Sequence, residues 1–396
     1  MITFDTTSLL SRRANSADEG AIMRMSQRTR ELRALGKDIV SLTIGEPDFD
    51  TPLNIRNAAK HALDAGFTHY APTAGIPELR EALSTKLRTE NGLNYDASQI
   101  VLANGAKQAL NNAILSVIGP GDEVIILAPY WVSYEGSVNF AQGTPVILKS
   151  DVSENYKVPA GRIAAAITPA TKLIILNSPC NPTGAVWTRD ELESIAALVR
   201  AHPKLLVLAD EIYEYILFDG RMVSFGSLPG MLERTITLNG FSKGFAMTGW
   251  RLGYTAAPLP VAQAMARMQS IMSAGANQFV QRAAISALQG PREDVETMRA
   301  QYQSRRDIVL SGLRAIYGVK ITDIPATFYA FPDISAFLRG ATSAQFCDFL
   351  VEQHGVAVVP GSAFGVEDSI RLSFAASEAD VKKALLRLKQ GLQSFS

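Results

Sequence analysis

Residues 235–247 read Thr-Ile-Thr-Leu-Asn-Gly-Phe-Ser-Lys-Gly-Phe-Ala-Met, an apolar run that stops at a glycine and sets Lys243 among small and aromatic neighbours. Lysines usually end up solvated. This one stands at a strand end with Arg251 eight residues on. Burial and a nearby cation lower an ammonium's pKa and free the amine as a nucleophile, able to form a Schiff base with an aldehyde. A second chemical group closes another apolar run: LLVLAD ends in Asp210, followed by Glu211, Ile212 and Tyr213. A carboxylate there is costly unless a cation meets it, although a helix N-cap accounts for it equally well. Asn177 to Gly184, NSPCNPTG, packs two prolines, two asparagines and a glycine into eight residues. It is either a plain turn or a rigid loop that aims Asn181 at a ligand. Asn104-Gly105-Ala106-Lys107 joins a strand to a helix, and the free N–H groups at such a start attract anions, phosphate above all.

The elements that must position these residues are legible as alternation. Seven short apolar runs lie at 101–104, 122–129, 144–150, 171–178, 204–210, 235–241 and 251–257. Several are apolar at consecutive positions, as strands covered on both faces are. Helical patterns separate them, from Lys107 to Val117 and from Thr188 onward, where Thr188 and Glu191 have capping-box spacing. The expected fold is therefore α/β, a mostly parallel seven-stranded sheet with helices on both faces. The gap before residues 251–257 is too short for a parallel crossover, so that run is expected to be antiparallel. After Gly290-Pro291 the texture shifts to a long charged helix, short strands and a last helix. This predicts a large domain over 49–290 and a smaller discontinuous α+β domain from 1–48 and 291–396.

Bulk composition excludes several classes. A chain of 396 residues, 47% hydrophobic, has the length of two domains. Lys plus Arg and Asp plus Glu both number 38, which leaves no net charge for nucleic acid or an anionic membrane. Cys180 and Cys347 form no CxxC pair, and His61, His69, His202 and His354 are scattered, so neither a metal site nor a disulfide framework is expected. The N-terminus lacks a signal peptide's apolar core and no stretch is long enough to span a bilayer. A cytoplasmic location is the expectation.

An amine for an imine, an acid for a ring nitrogen, an amide loop and a phosphate cradle with an arginine are together what pyridoxal phosphate requires. On the motifs SLTIGEPDFDTP (41–52), HYAPTAGIPELREAL (69–83), NGAKQAL (104–110), APYWVSY (128–134), NSPCNPTGAV (177–186), DEIYE (210–214), GFSKGFAMTGWRLGY (240–254), VAVVPGSAFG and SIRLSFA (within 356–375), nearly the whole chain resembles the class I aminotransferases of the pyridoxal-phosphate fold-type I group. Within that group it is most similar to bacterial aspartate aminotransferases, some of which accept prephenate.

The resemblance implies roles. Lys243 would hold pyridoxal 5'-phosphate and shuttle a proton between the substrate Cα and the cofactor C4′. Asp210 would pair with the ring nitrogen, Tyr213 and Asn181 would contact the phenolic oxygen, and Trp131 would stack on the ring. Gly105, Ala106 and Arg251 would hold the phosphate, with Ser242 and with Tyr70 of a partner subunit in a homodimer that shares its active sites. Arg371 would grip the substrate α-carboxylate beside Gly45. Lys107 would meet a distal carboxylate; its alternative is a helix-start lysine facing solvent. Gly240 departs from relatives that carry a phosphate-binding serine there. Arg12-Arg13 add charge to the pocket if their segment folds over it, which would suit prephenate, or else they are solvated.

The activity so implied is ping-pong transfer of an amino group from L-aspartate to 2-oxoglutarate. Prephenate or aromatic substrates, a β-lyase or an aminocyclopropane-carboxylate synthase are alternatives on the same scaffold. An aminotransferase-like transcription regulator would need an added winged helix, which the short lead to SLTIGEPDF is not expected to hold.

Overall fold

The structure, a computed structural model, describes residues 9–11, 14–15 and 20–395. Its strands are β1 (Val40–Ser41), β2 (Ile100–Ala103), β3 (Glu123–Ala128), β4 (Thr144–Lys149), β5 (Thr171–Asn177), β6 (Leu206–Asp210), β7 (Thr235–Gly240), β8 (Gly253–Ala256), β9 (Tyr329–Ala330), β10 (Val356–Ala357), β11 (Val359–Pro360) and β12 (Ile370–Ser373). Seven of them make one sheet in the order β2-β8-β7-β6-β5-β3-β4. β8 runs antiparallel to both its neighbours and the other six run in one direction. The seven runs and the reversed one match the sequence expectation.

Side-chain alternation explains why the sheet needs helices on both faces. Val124, Ile126, Leu173 and Ile175 pack into one apolar cluster with Leu110, Ile114 and Met265 of the helices Ala106–Val117 and Leu259–Ser273. Ile125, Ile174 and Leu176 face the other way, onto Leu192, Ile195 and Val199 of the helix Arg189–Ala201. Each such buried aliphatic side chain contributes about 1.5–3 kcal/mol relative to exposure. The Arg189–Ala201 helix starts with the capping box read from the sequence: the Glu191 amide donates to Thr188 Oγ1 at 3.3 Å and the Thr188 amide to Glu191 Oε2 at 2.7 Å.

Sequence did not reveal that β8 lies inside the sheet, between β7 and β2. Glycine makes this possible. Gly253 pairs with both Ala103 and Gly240, and a Cβ on Gly253 would fall 2.5 Å from the Ala106 amide nitrogen. The run at 356–361 is likewise not one strand. β10 pairs parallel with β1, while β11 joins β12 and β9 in an antiparallel sheet. The long charged helix spans Glu293–Arg314 and contacts Leu385 of the final helix, Glu378–Ser394, at Gly312. Among the described residues no helix is long and apolar enough to cross a membrane.

Candidate active site

The parallel strands end together at one edge of the sheet, where ligands bind in open α/β folds. Asn177 at the end of β5 lies in register with Asp210 at the end of β6. Its side chain ties strand to loop: Nδ2 donates to the Asp210 carbonyl at 3.0 Å, and Oδ1 accepts the Asn181 amide at 2.8 Å. The loop 177–184 is buried throughout, the rigid form of the two sequence readings. Asp210 is 3% exposed. Tyr134 donates to its Oδ2 at 2.6 Å and the Ile212 amide to its Oδ1 at 3.2 Å. Burial pushes the Asp210 carboxyl up to about 6, against the pull of those two donors and of Lys243.

Lys243 follows β7, partly buried, and its Nζ donates to the Gly45 carbonyl at 2.6 Å. Burial first, then the guanidinium groups of Arg371 and Arg251, pull this amine down to about 8, opposed by Glu46 and Asp210. A sizeable neutral fraction near neutral pH is what a nucleophilic lysine needs. Arg371, on β12, is 2% exposed. Its Nη1 donates to Asn181 Oδ1 at 3.0 Å and its Nη2 to the Thr43 carbonyl at 2.6 Å. The guanidinium lies 4.5 Å over the Tyr329 ring and 4.9 Å over Phe364, and its buried Nε has no partner. A buried arginine that meets neutral acceptors and keeps a free donor is prepared for an anion from outside the chain. Tyr213 shares a 3.0 Å hydrogen bond with the Tyr329 hydroxyl, and burial raises the Tyr213 phenol far above its ordinary value.

The anion cradle stands beside this group. Gly105, at φ 86°, precedes the helix Ala106–Val117, so Gly105 and Ala106 present the free amides. A Cβ on Gly105 would collide with the Arg251 guanidinium, which fixes how closely that cation approaches the helix start. Ser242 is buried next to Lys243. Gly240 leaves no vacancy where relatives carry serine, because a Cβ there would lie 3.0 Å from Gly253 Cα and from the Leu252 carbonyl. Lys107 sits with Nζ 5.5 Å over the Trp131 ring; burial and then Arg251 lower its pKa. Trp131 meets Tyr134 edge to face at 5.5 Å.

Thus Lys243, Asp210, Tyr213, Asn181, Arg371, Gly45, Gly105, Ala106, Arg251, Ser242, Trp131 and Lys107 gather at one edge. Tyr70 does not join them by a bond within the chain: it is 92% exposed, on a groove with Phe67, Asn104 and Phe279. Arg12-Arg13 lie outside the described residues. Sequence reasoning missed Tyr134, Tyr329 and Thr43, and it gave Asn104 no role beyond opening the helix, although its Oδ1 is buried and unpartnered. Only Tyr134 had a signal, since it stands three residues after Trp131 in APYWVSY. Among the described residues no cluster of His, Cys, Asp or Glu has the makings of a metal site.

This donor set fits pyridoxal 5'-phosphate. It offers an amine with lowered pKa for the aldehyde, a buried carboxylate for the ring nitrogen, and a helix start with an arginine for the phosphate. A family model described as aminotransferase class I and II matches residues 37–388. The chain is 43% identical, over 92% of its length and 94% of the relative's, to an aspartate/prephenate aminotransferase of Cereibacter sphaeroides. It is 40% identical to an aspartate aminotransferase of Rhizobium meliloti, over 97% and 96%. The solved structure of the aspartate aminotransferase from Thermus thermophilus with maleate superposes with a TM-score of 0.92 at 42% identity, covering 96% of this chain and 99% of that one. The chain therefore belongs to the class I and II aminotransferases, a family that works with pyridoxal 5'-phosphate.

Proposed function

We propose that this aminotransferase moves the amino group of L-aspartate to 2-oxoglutarate in two half-reactions. The observation that carries the substrate class is the pair of cations at the site's edge: Arg371 with its unpartnered Nε, and Lys107 over Trp131. One suits the carboxylate shared by all amino and 2-oxo acids, the other the distal carboxylate of a dicarboxylate. The Thermus relative's maleate, itself a dicarboxylate, supports this reading.

When bound, pyridoxal 5'-phosphate supplies an electron-withdrawing ring. The chain's own residues do the rest. The neutral fraction of the Lys243 amine would hold the aldehyde group and, once released from it, would carry the proton at the substrate Cα. Asp210, kept ionised near neutral pH by Tyr134 and the Ile212 amide, holds the ring-nitrogen proton. Tyr213 and Asn181 would meet the phenolic oxygen, Trp131 would cover the ring, and Gly105, Ala106, Ser242 and Arg251 would hold the phosphate. Arg371 orients the substrate carboxylate beside Gly45. Exposed Tyr70 supports a homodimer in which it serves the neighbouring site. Cys180 and Cys347 are both free thiols, in keeping with a reducing cytoplasm. The β1–β10 pairing supports a small domain of 1–48 and 291–396 beside a large one of 49–290.

Prephenate is a second amino acceptor, because it also carries two carboxylates and relatives are named for it. Half-reactions test the proposal. The visible absorption of the holoenzyme, read at fixed pH, is expected to bleach with aspartate and return with 2-oxoglutarate or prephenate. Bleaching by aromatic donors alone would overturn the aspartate assignment.

A further inference from the structure

The Tyr213 and Tyr329 hydroxyls present a problem of proton counting. Each phenol has one proton to donate. If Tyr213 gave its proton to Tyr329 across their 3.0 Å contact, it would have none for a ligand oxygen. If Tyr329 donates instead, Tyr213 is left with its proton free for a ligand oxygen. Among the described residues the Tyr329 hydroxyl has no other hydrogen-bond partner; it is otherwise wedged against Gly45, where a Cβ would overlap it. The fold holds it there firmly. Tyr329 lies on β9, in register with Ser373 of β12, and its ring is 2% exposed and sandwiched against Tyr213, Phe328 and the Arg371 guanidinium. The same Gly45 offers its carbonyl to Lys243 Nζ at 2.6 Å. One side chain thus touches the tyrosine that faces the cofactor, the arginine that takes the carboxylate, and the main chain that holds the lysine.

We propose that Tyr329 is a positioning residue which, by donating its hydroxyl proton to Tyr213, commits the Tyr213 proton to the phenolic oxygen of the cofactor. The proposal rests on the reading that Tyr213 faces that oxygen. A donor relayed in this way is strengthened, because hydrogen bonds in series polarise one another. A hydrogen bond onto the phenolic oxygen matters most when the neighbouring Lys243 nitrogen has lost its proton and the oxygen's charge is uncompensated. Weakening it therefore raises the pH at which that nitrogen titrates.

The test is a spectrophotometric pH titration of the holoenzyme, made with wild type, Y329F, Y213F and the double variant. Tyr329→Phe keeps the ring under Arg371 and removes only the oxygen. Y329F is expected to raise the midpoint by about half a pH unit to one unit, the scale of one net hydrogen bond, with KM for the amino acid nearly unchanged and kcat lowered. Y213F is expected to raise it further, and Y329F to add nothing in the Y213F background. A Y329F midpoint equal to wild type, or shifts that add in the double variant, would overturn the relay while leaving the Tyr213 contact standing. A Y213F midpoint equal to wild type would remove the contact itself and the relay with it. Melting temperatures of the four proteins separate these outcomes from general loosening, since a purely structural Tyr329 would lower the melting temperature and leave the midpoint in place.

Discussion

Asp210 and Glu211 are neighbours in sequence, yet they belong to two clusters of buried charge built in opposite ways. In the Glu211 cluster the groups finish one another. Lys86 donates to Glu214 and, at 2.7 Å, to Asn91 Oδ1. Asn91 Nδ2 donates to Glu214 Oε2 at 2.9 Å and to Ser224 at 3.0 Å, Ser224 donates to Glu211 at 2.7 Å, and Asn239 donates to Glu214 at 2.8 Å. In the Asp210 cluster the groups are left open. Arg371 meets only neutral acceptors and keeps a free Nε, and Lys243 has a single backbone carbonyl. Strand geometry separates the two, because successive side chains leave on opposite faces. The lesson is that a closed network acts on stability, whereas an open one holds bonding capacity for a ligand.

The largest expected effect falls on the closed side. Lys86→Met strands the Glu214 carboxylate and is expected to lower stability by about 3–5 kcal/mol, read by chemical denaturation, with kcat/KM of the folded enzyme little changed. Adding Glu214→Leu should recover much of the loss, since an apolar pair often replaces a buried ion pair well. Lost activity with intact stability would break the contrast.

On the open side the signs reverse. Arg371→Met fills the space without the charge; kcat/KM for aspartate is expected to fall by about 2–5 kcal/mol in transition-state terms while the melting temperature holds. A melting temperature that dropped as for Lys86→Met would show Arg371 to be structural. Lys107→Ala is a smaller change, because Lys107 keeps an exposed surface although its neighbours desolvate it enough to lower its pKa. A loss of about threefold to tenfold in kcat/KM is expected for aspartate, and none for donors with neutral side chains. Equal losses for both would refute its contact with a distal carboxylate.

A last effect is a slope rather than a step. Burial pushes the Glu211 carboxyl up to about 8, with Ser224 and Lys86 pulling down and Glu214 pushing further up. Its unfolded value is about 4.3, so between these pH values the native chain keeps a proton that the unfolded chain releases. Stability contributed here therefore falls as pH rises from about 5 to 8. Glu211→Gln should flatten that part of the pH–stability curve; an unchanged slope would contradict a protonated Glu211.

Much of this was readable in the sequence where the signal was local. Lys243 and Asp210 stand out because charge at the end of an apolar run needs a reason, and the Thr188–Glu191 cap depends on spacing alone. What escaped was long-range. Tyr329 meets Tyr213 from 116 residues away, and Arg371 meets Asn181 from 190. No local pattern encodes such pairs. The position of β8 inside the sheet was hidden for the same reason, since it depends on Gly253 packing under the turn at Gly105 and Ala106. Gly240 reads as a lost phosphate ligand in sequence, but in the fold it is a packing requirement of the β7–β8 pair. Tyr70, 92% exposed, meets none of these residues within the chain.

The central claim is that the Lys243 amine is where the cofactor attaches. Borohydride reduction of the holoenzyme, followed by digestion and peptide mass spectrometry, tests it directly. The account predicts one pyridoxyl-modified peptide, carrying the label on Lys243, and no stable label in Lys243→Ala. A label on Lys107 or any other lysine, or full labelling of the Lys243→Ala protein, would contradict it.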